Sequence, residues 1–75
     1  MQMSFYQYLM TKRDPYKQDE LTLFANAAFE DSLFPKQSED YDELSNHLEM
    51  NTDYLSSMTI FDEAWEFYQS YYYEK

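Results

Sequence analysis

A chain of 75 residues with no glycine, no cysteine, and 15 acidic against 5 basic side chains carries a net charge of −10. Without glycine no Gly-rich phosphate loop forms, without cysteine no disulfide or zinc–thiolate site staples the fold, and the charge repels duplex nucleic acid and anionic membrane surfaces. Aromatic residues make up 21% of the chain, a share that disordered acidic chains lack, so a small folded domain spanning 1–75 is expected.

Ser4 is placed to cap a first helix over about 5–13, with Phe5, Tyr8, Leu9 and Lys12 on one face. The segment is apolar almost all round to Met10, which predicts a largely buried helix, and Pro15 sets its stop. A strand competes here because Phe5, Tyr6 and Tyr8 favour sheets, but no second strand of like quality exists to pair with it.

A second helix is predicted from Asp19 to Asp31. Leu21, Phe24, Ala25 and Ala28 follow the i, i+3, i+4, i+7 spacing, Leu23 and Ala27 widen the stripe, and Thr22, Asn26 and Glu30 line the opposite side. Residues 32–39 read as a loop in which Leu33 and Phe34 are apolar enough to plug the edge of the core. A third helix follows from Tyr41 to Met50, with Asp40 and Glu43 as a capping-box-like pair and Tyr41, Leu44 and Leu48 inward. Residues 51–57 form a turn region with room for one short helical turn at Asp53–Leu55. The last helix runs from Thr59, its expected cap, to Tyr72. Phe61, Ala64, Trp65, Tyr68 and Tyr72 share one face, and Trp65 is expected at the centre of the core. The result is an all-α compact bundle of four to five short helices, with a radius of gyration of roughly 11 Å.

Charge is segregated along this chain. Residues 1–17 hold Lys12, Arg13 and Lys17 against Asp14, a net of +2, while residues 18–75 hold two lysines against 14 acids, a net of −12. No stretch approaches the roughly 20 apolar residues of a bilayer span. The N-terminus lacks the basic start and small-residue cleavage site of a secretory signal. Cytoplasmic location without membrane association is therefore expected.

Several strings together resemble a known family: Ser4-Phe5-Tyr6-Gln7, Leu9-Met10-Thr11, Phe24-Ala25-Asn26-Ala27-Ala28-Phe29, Phe34-Pro35-Lys36-Gln37-Ser38-Glu39-Asp40-Tyr41 and Phe61-Asp62-Glu63-Ala64-Trp65. They are similar to the YozE-like family of small proteins from low-GC Gram-positive bacteria. Nearly the whole chain takes part, and the departures fall at Pro15–Gln18 and in the tyrosine-rich tail. The resemblance implies a sterile-alpha-motif (SAM)-like bundle. It carries over no catalytic residue, and the protein binding, self-association or RNA binding of SAM-like folds elsewhere comes only as analogy.

Four constellations bear on function. Glu39, Asp40, Asp42 and Glu43 offer hard oxygen ligands, yet they lack the glycine and spacing of a calcium loop and suit a helix N-terminus. His47, the single histidine, has Glu43 one turn before it, a pair common on solvated helix flanks. Lys12, Arg13 and Lys17 beside Tyr16 suit either a phosphate or an acidic partner face. Nine tyrosines, with Tyr71, Tyr72 and Tyr73 in one run, exceed what one helix face buries, and tyrosine suits interfaces. No cofactor or metal is expected. The favoured function is a non-catalytic protein-interaction module, monomeric by itself and meeting a protein partner through Lys12, Arg13, Lys17, Tyr71, Tyr72 and Tyr73. The alternatives are an acidic regulator that mimics nucleic acid toward a basic DNA-binding protein and, with less support, a nucleic-acid-binding SAM-like domain.

Overall fold

Short polar side chains set the helix starts. In the computed structural model, which describes residues 3–73 and the side chains of all but 51, 72 and 73, Ser4 caps helix α1 (Phe5–Met10). Its Oγ accepts the Gln7 N–H while the Gln7 side chain takes the Ser4 N–H at 2.9 Å, a full capping box. Asp19 caps α2 (Glu20–Glu30), accepting both the amide and the hydroxyl of Thr22. Asp40 caps α3 (Tyr41–Asn51) through the Asp42 N–H. Its own N–H goes to Ser38 Oγ, which takes the part expected of Glu43. For α4 (Met58–Tyr73) the capping oxygen belongs to Ser57, which accepts the Thr59 N–H at 3.1 Å, and not to Thr59.

Helix α1 is shorter than expected. Thr11 Oγ1 donates to the Tyr8 carbonyl at 2.6 Å and the Lys12 N–H to the Leu9 carbonyl at 2.8 Å, so the chain tightens and leaves the helix before Pro15 acts. The helical turn allowed at 53–55 does not form, because residues 52–57 run without regular structure into α4. All the regular elements among the described residues are helices, packed α1 on α2 and α4, α2 on α4, and α3 on α4. The radius of gyration is 11.5 Å.

Aromatic rings fill the core. Phe5, which is 0% exposed, touches Phe24, Phe61, Trp65 and Tyr68 at centroid distances of 5.4–6.1 Å, with edge-to-face geometry on Phe61 and Tyr68. Phe5 and Phe61 lie fully buried at the middle of this ring cluster, and Trp65 is only partly buried against it. The reason is helical phase: Phe61, Ala64 and Tyr68 form the inward stripe of α4, and Trp65 lies on its flank. Thr22, expected outside, is buried because its hydroxyl is held by Asp19. Asn26 Nδ2 donates to the Asp14 carbonyl at 3.1 Å and fastens the 11–19 segment to α2.

The 31–39 loop is tied to α1: Ser4 Oγ donates to the Lys36 carbonyl at 2.8 Å and the Phe5 N–H to the Ser38 carbonyl at 3.2 Å. Of its two apolar residues only Phe34 is buried. The tight turn closed by the Phe34 N–H on the Asp31 carbonyl turns Leu33 outward, against expectation. Tyr41 is also partly exposed. Its hydroxyl donates to Asp62 Oδ1 at 2.7 Å, a bond that raises the phenol's pKa together with desolvation and nearby carboxylate charge.

Candidate functional site

The C-terminal end of α2, the inner side of α3 and the segment before α4 meet at one carboxylate. Asp31 Oδ2 lies 2.7 Å from His47 Nε2 and accepts the Tyr54 hydroxyl at 2.9 Å, while Oδ1 accepts the Leu33 N–H at 3.0 Å. Facing an ionised carboxylate, His47 must carry its proton on Nε2. The His47 and Asp31 side chains are 10% and 14% exposed, and the imidazole meets Phe34 edge-on at 5.6 Å. His47 is therefore neither on a solvated flank nor placed to serve Glu43: its partner comes from another helix. Burial pushes the Asp31 carboxyl up, but the bonds from His47, Tyr54 and Leu33 and the nearby histidine outweigh it, and the net shift is down. Burial, then the Asp31 bond and charge, push the Tyr54 phenol far above its ordinary value.

An open cleft of about 580 Å³ runs beside this cluster. The loop supplies Leu33 and Pro35; successive turns of α3 supply Asp42 and Glu43, Asn46 and His47, and Met50; Asp40 closes the N-terminal end. Leu33 and Met50 are 75% and 79% exposed. On the Tyr54 side of the cluster a smaller cleft of about 340 Å³ is lined by Ala27, Glu30, Asp31, Thr52, Asp53 and Tyr54. Among the described residues no group of three His, Cys, Asp or Glu side chains is arranged to hold a metal ion.

The basic end is brought together in space. Lys12, Arg13 and Lys17 line one cleft of about 390 Å³, but Asp14 and Asp19 line it too. The Arg13 guanidinium carbon lies 3.6 Å from the Phe29 ring centroid, and the Lys12 ammonium lies 5.4 Å from that of Tyr8. Tyr71 is partly exposed, its ring 5.7 Å from Tyr8. Burial, with the charge of Tyr71, raises the Tyr8 pKa. The side chains of Tyr72 and Tyr73 lie outside the described residues, so the expected tyrosine surface is placed only at Tyr71.

The profile of the YozE SAM-like fold matches residues 4–70. The chain belongs to the YozE SAM-like family. A UPF0346 protein of Limosilactobacillus reuteri (strain DSM 20016) is 65% identical over 68 residues, 91% of this chain and 93% of that protein. A UPF0346 protein of Bacillus pumilus is 65% identical over 65 residues, covering 87% and 88%. The solution NMR structure of the UPF0346 protein yozE from Bacillus subtilis superposes with a TM-score of 0.82 at 52% identity, over 92% of this chain and 84% of that one. Those names assign no reaction. The YozE-like match spans the Asp31–His47–Tyr54 cluster, both clefts beside it and the basic end, and it stops one residue before Tyr71.

The sequence reading missed Asp31, Tyr54, Leu33 and Met50 as a group. Met50 and Leu33 each carried a weak signal, as apolar residues at a helix end and in a loop. The link from Asp31 to His47 and Tyr54, 16 and 23 residues apart, had none.

Proposed function

We propose that this YozE-like protein is a non-catalytic protein-interaction module of the cytoplasm. The observation that carries the reading is the pair Leu33 and Met50, large apolar side chains three-quarters or more solvent-exposed on one cleft. Large exposed apolar side chains beside a polar rim are what protein contacts use. His47, Asp31 and Tyr54 support it from below, because their bonds fix the loop that presents Leu33. Lys12, Arg13, Lys17 and Tyr71 offer further contact area.

Affinity capture from a lysate of Limosilactobacillus reuteri tests this, comparing the wild-type protein with Leu33→Ser/Met50→Ser. One protein recovered by the wild type and lost with the double variant, with nuclease present throughout, is the expected result. Equal recovery by both proteins, or recovery that nuclease abolishes, contradicts it. The second reading, mimicry of nucleic acid toward a basic DNA-binding protein, draws on the net −12 over residues 18–75. It requires capture that is indifferent to the double substitution and collapses with salt.

A further inference from the structure

The cleft also specifies the chemistry of its partner, an inference that rests on the interaction reading above. Its lining holds three exposed carboxylates, Asp40, Asp42 and Glu43, and no lysine or arginine. The lysine nearest in sequence, Lys36, does not line it: its ammonium is 3.4 Å from the Ser32 carbonyl and 5.4 Å from the Tyr6 ring centroid. His47 lines the cleft with Nε2 committed to Asp31. The N-terminal end of α3 brings about half an elementary positive charge, which three carboxylates reverse. Met50 stands at the far end of α3, and Leu33 lines the cleft from the loop.

We propose that the cleft receives a short basic segment of another protein, in which large apolar side chains are flanked by lysine or arginine. The apolar side chains seat against Leu33 and Met50, and the flanking cations meet Asp40, Asp42 and Glu43. Each part has its own work. Exposed ion pairs contribute little to affinity but steer encounter and select sign, while a few buried apolar anchors carry most of the binding energy.

The test is an amide-resolved NMR titration of the full chain with three synthetic hexapeptides: Lys-Lys-Phe-Leu-Lys-Lys, its Lys-Lys-Ser-Ser-Lys-Lys counterpart and its Gln-Gln-Phe-Leu-Gln-Gln counterpart. The first peptide is expected to shift the amides of Leu33, Glu43, Asn46 and Met50 and to bind at least about tenfold more tightly than either control. Leu33→Ser/Met50→Ser should remove that advantage. Asp42→Asn/Glu43→Gln should flatten the salt dependence. Both pairs sit on the surface, so circular dichroism should report an unchanged fold.

Equal binding of the serine peptide overturns the proposal in favour of charge alone. Equal binding of the glutamine peptide overturns the cationic assignment. Shifts centred elsewhere, or no shifts at about 1 mM peptide, a concentration that saturates any complex well below a millimolar Kd, also overturn it. A second copy as occupant would appear in sedimentation of the protein alone as a dimer that Leu33→Ser/Met50→Ser dissolves. The proposal expects a monomer there. If the peptides fail while lysate capture still depends on Leu33 and Met50, the partner chemistry falls and the interaction reading stands. If both fail, both fall.

Discussion

Replacing Asp31 with alanine removes one carboxylate that three donors share: His47 Nε2, the Tyr54 hydroxyl and the Leu33 N–H. Hydrogen bonds to a charged group contribute about 1.5–3 kcal/mol each, and a buried donor left without an acceptor costs about 1–3 kcal/mol. With the His47 and Asp31 side chains 10% and 14% exposed, water reaches the vacated donors in part, and bonds to one oxygen do not add. A loss of about 2–4 kcal/mol is therefore expected. A chain of 75 residues has about 4–11 kcal/mol in all, so the variant should fold at neutral pH and unfold at clearly lower urea. The pH dependence has a fixed sign. The folded carboxyl is held below its ordinary value of 3.8, so the unfolded chain takes up the proton first as the pH falls. The stabilisation is complete above the ordinary carboxylate value and drains away as pH drops through the folded one. Urea unfolding followed by circular dichroism at neutral pH and at about pH 3 reads both effects. An Asp31→Ala protein within about 0.5 kcal/mol of wild type at neutral pH, or a deficit that widens on acidification, would refute the reasoning.

Phe5→Leu should cost about 2–3 kcal/mol through lost volume and ring contacts, against less than about 1.5 kcal/mol for Trp65→Phe. Urea melts followed by circular dichroism rank the two, since Trp65 is the sole tryptophan, and the reverse order would restore Trp65 to the centre of the core. Ser4→Ala should lose about 1–2 kcal/mol, because the hydroxyl both caps α1 and bonds the Lys36 carbonyl; an unchanged melting curve would speak against that double role. Duplex DNA should not bind with a Kd tighter than about 10 μM near 0.15 M salt, given the net −10. Fluorescence anisotropy of a labelled duplex measures this, and saturable binding in that range would promote Lys12, Arg13 and Lys17 to a phosphate site.

Local chemistry in the sequence anticipated the helices and much of the core. Ser4, Asp19 and Asp40 announce the starts of α1, α2 and α3, and apolar spacing in α2 and α4 announces Phe24, Ala25, Ala28, Phe61, Ala64 and Tyr68 as inward. Those signals live within one or two turns of chain. Misplacements arose where a cap, a turn or ring packing overrode the apolar spacing. Thr22 is drawn inside by its cap, Leu33 is turned outside by the Asp31–Phe34 turn, and Trp65 yields the centre to a phenylalanine from α1. Apolar spacing alone put Phe61 and Trp65 on one face, and the packing of α1 shows Phe61 to be inward and Trp65 on the flank. The candidate site is the extreme case. Asp31 reads as a helix end, His47 as a flank and Tyr54 as a turn, and nothing short of the fold joins them.

The acids of the α3 cleft serve stability and recognition at once, which constrains how either role is probed. Asp40 is the N-cap, and Asp42 and Glu43 lie in the first turn, where negative charge complements the helix dipole by about 0.3–1 kcal/mol each. Reversing them to lysine would weaken α3 and repel a basic partner together, so lost binding would have two causes. Asparagine at 42 and glutamine at 43 keep shape and hydrogen-bonding capacity, removing charge alone. Asp40 tolerates less. Its carboxylate accepts the Asp42 N–H while its own N–H is held by Ser38, whose carbonyl in turn accepts the Phe5 N–H. The chain of bonds from the cleft to Phe5 passes through that cap. Loosening Asp40 therefore perturbs the core as well as the charged rim, whereas Asp42 and Glu43 project from the exposed turn beyond it. Charge at 42 and 43 can thus be neutralised at a cost to α3 of about 0.3–1 kcal/mol each, and a change in the salt dependence of binding by a variant that circular dichroism shows folded reports recognition.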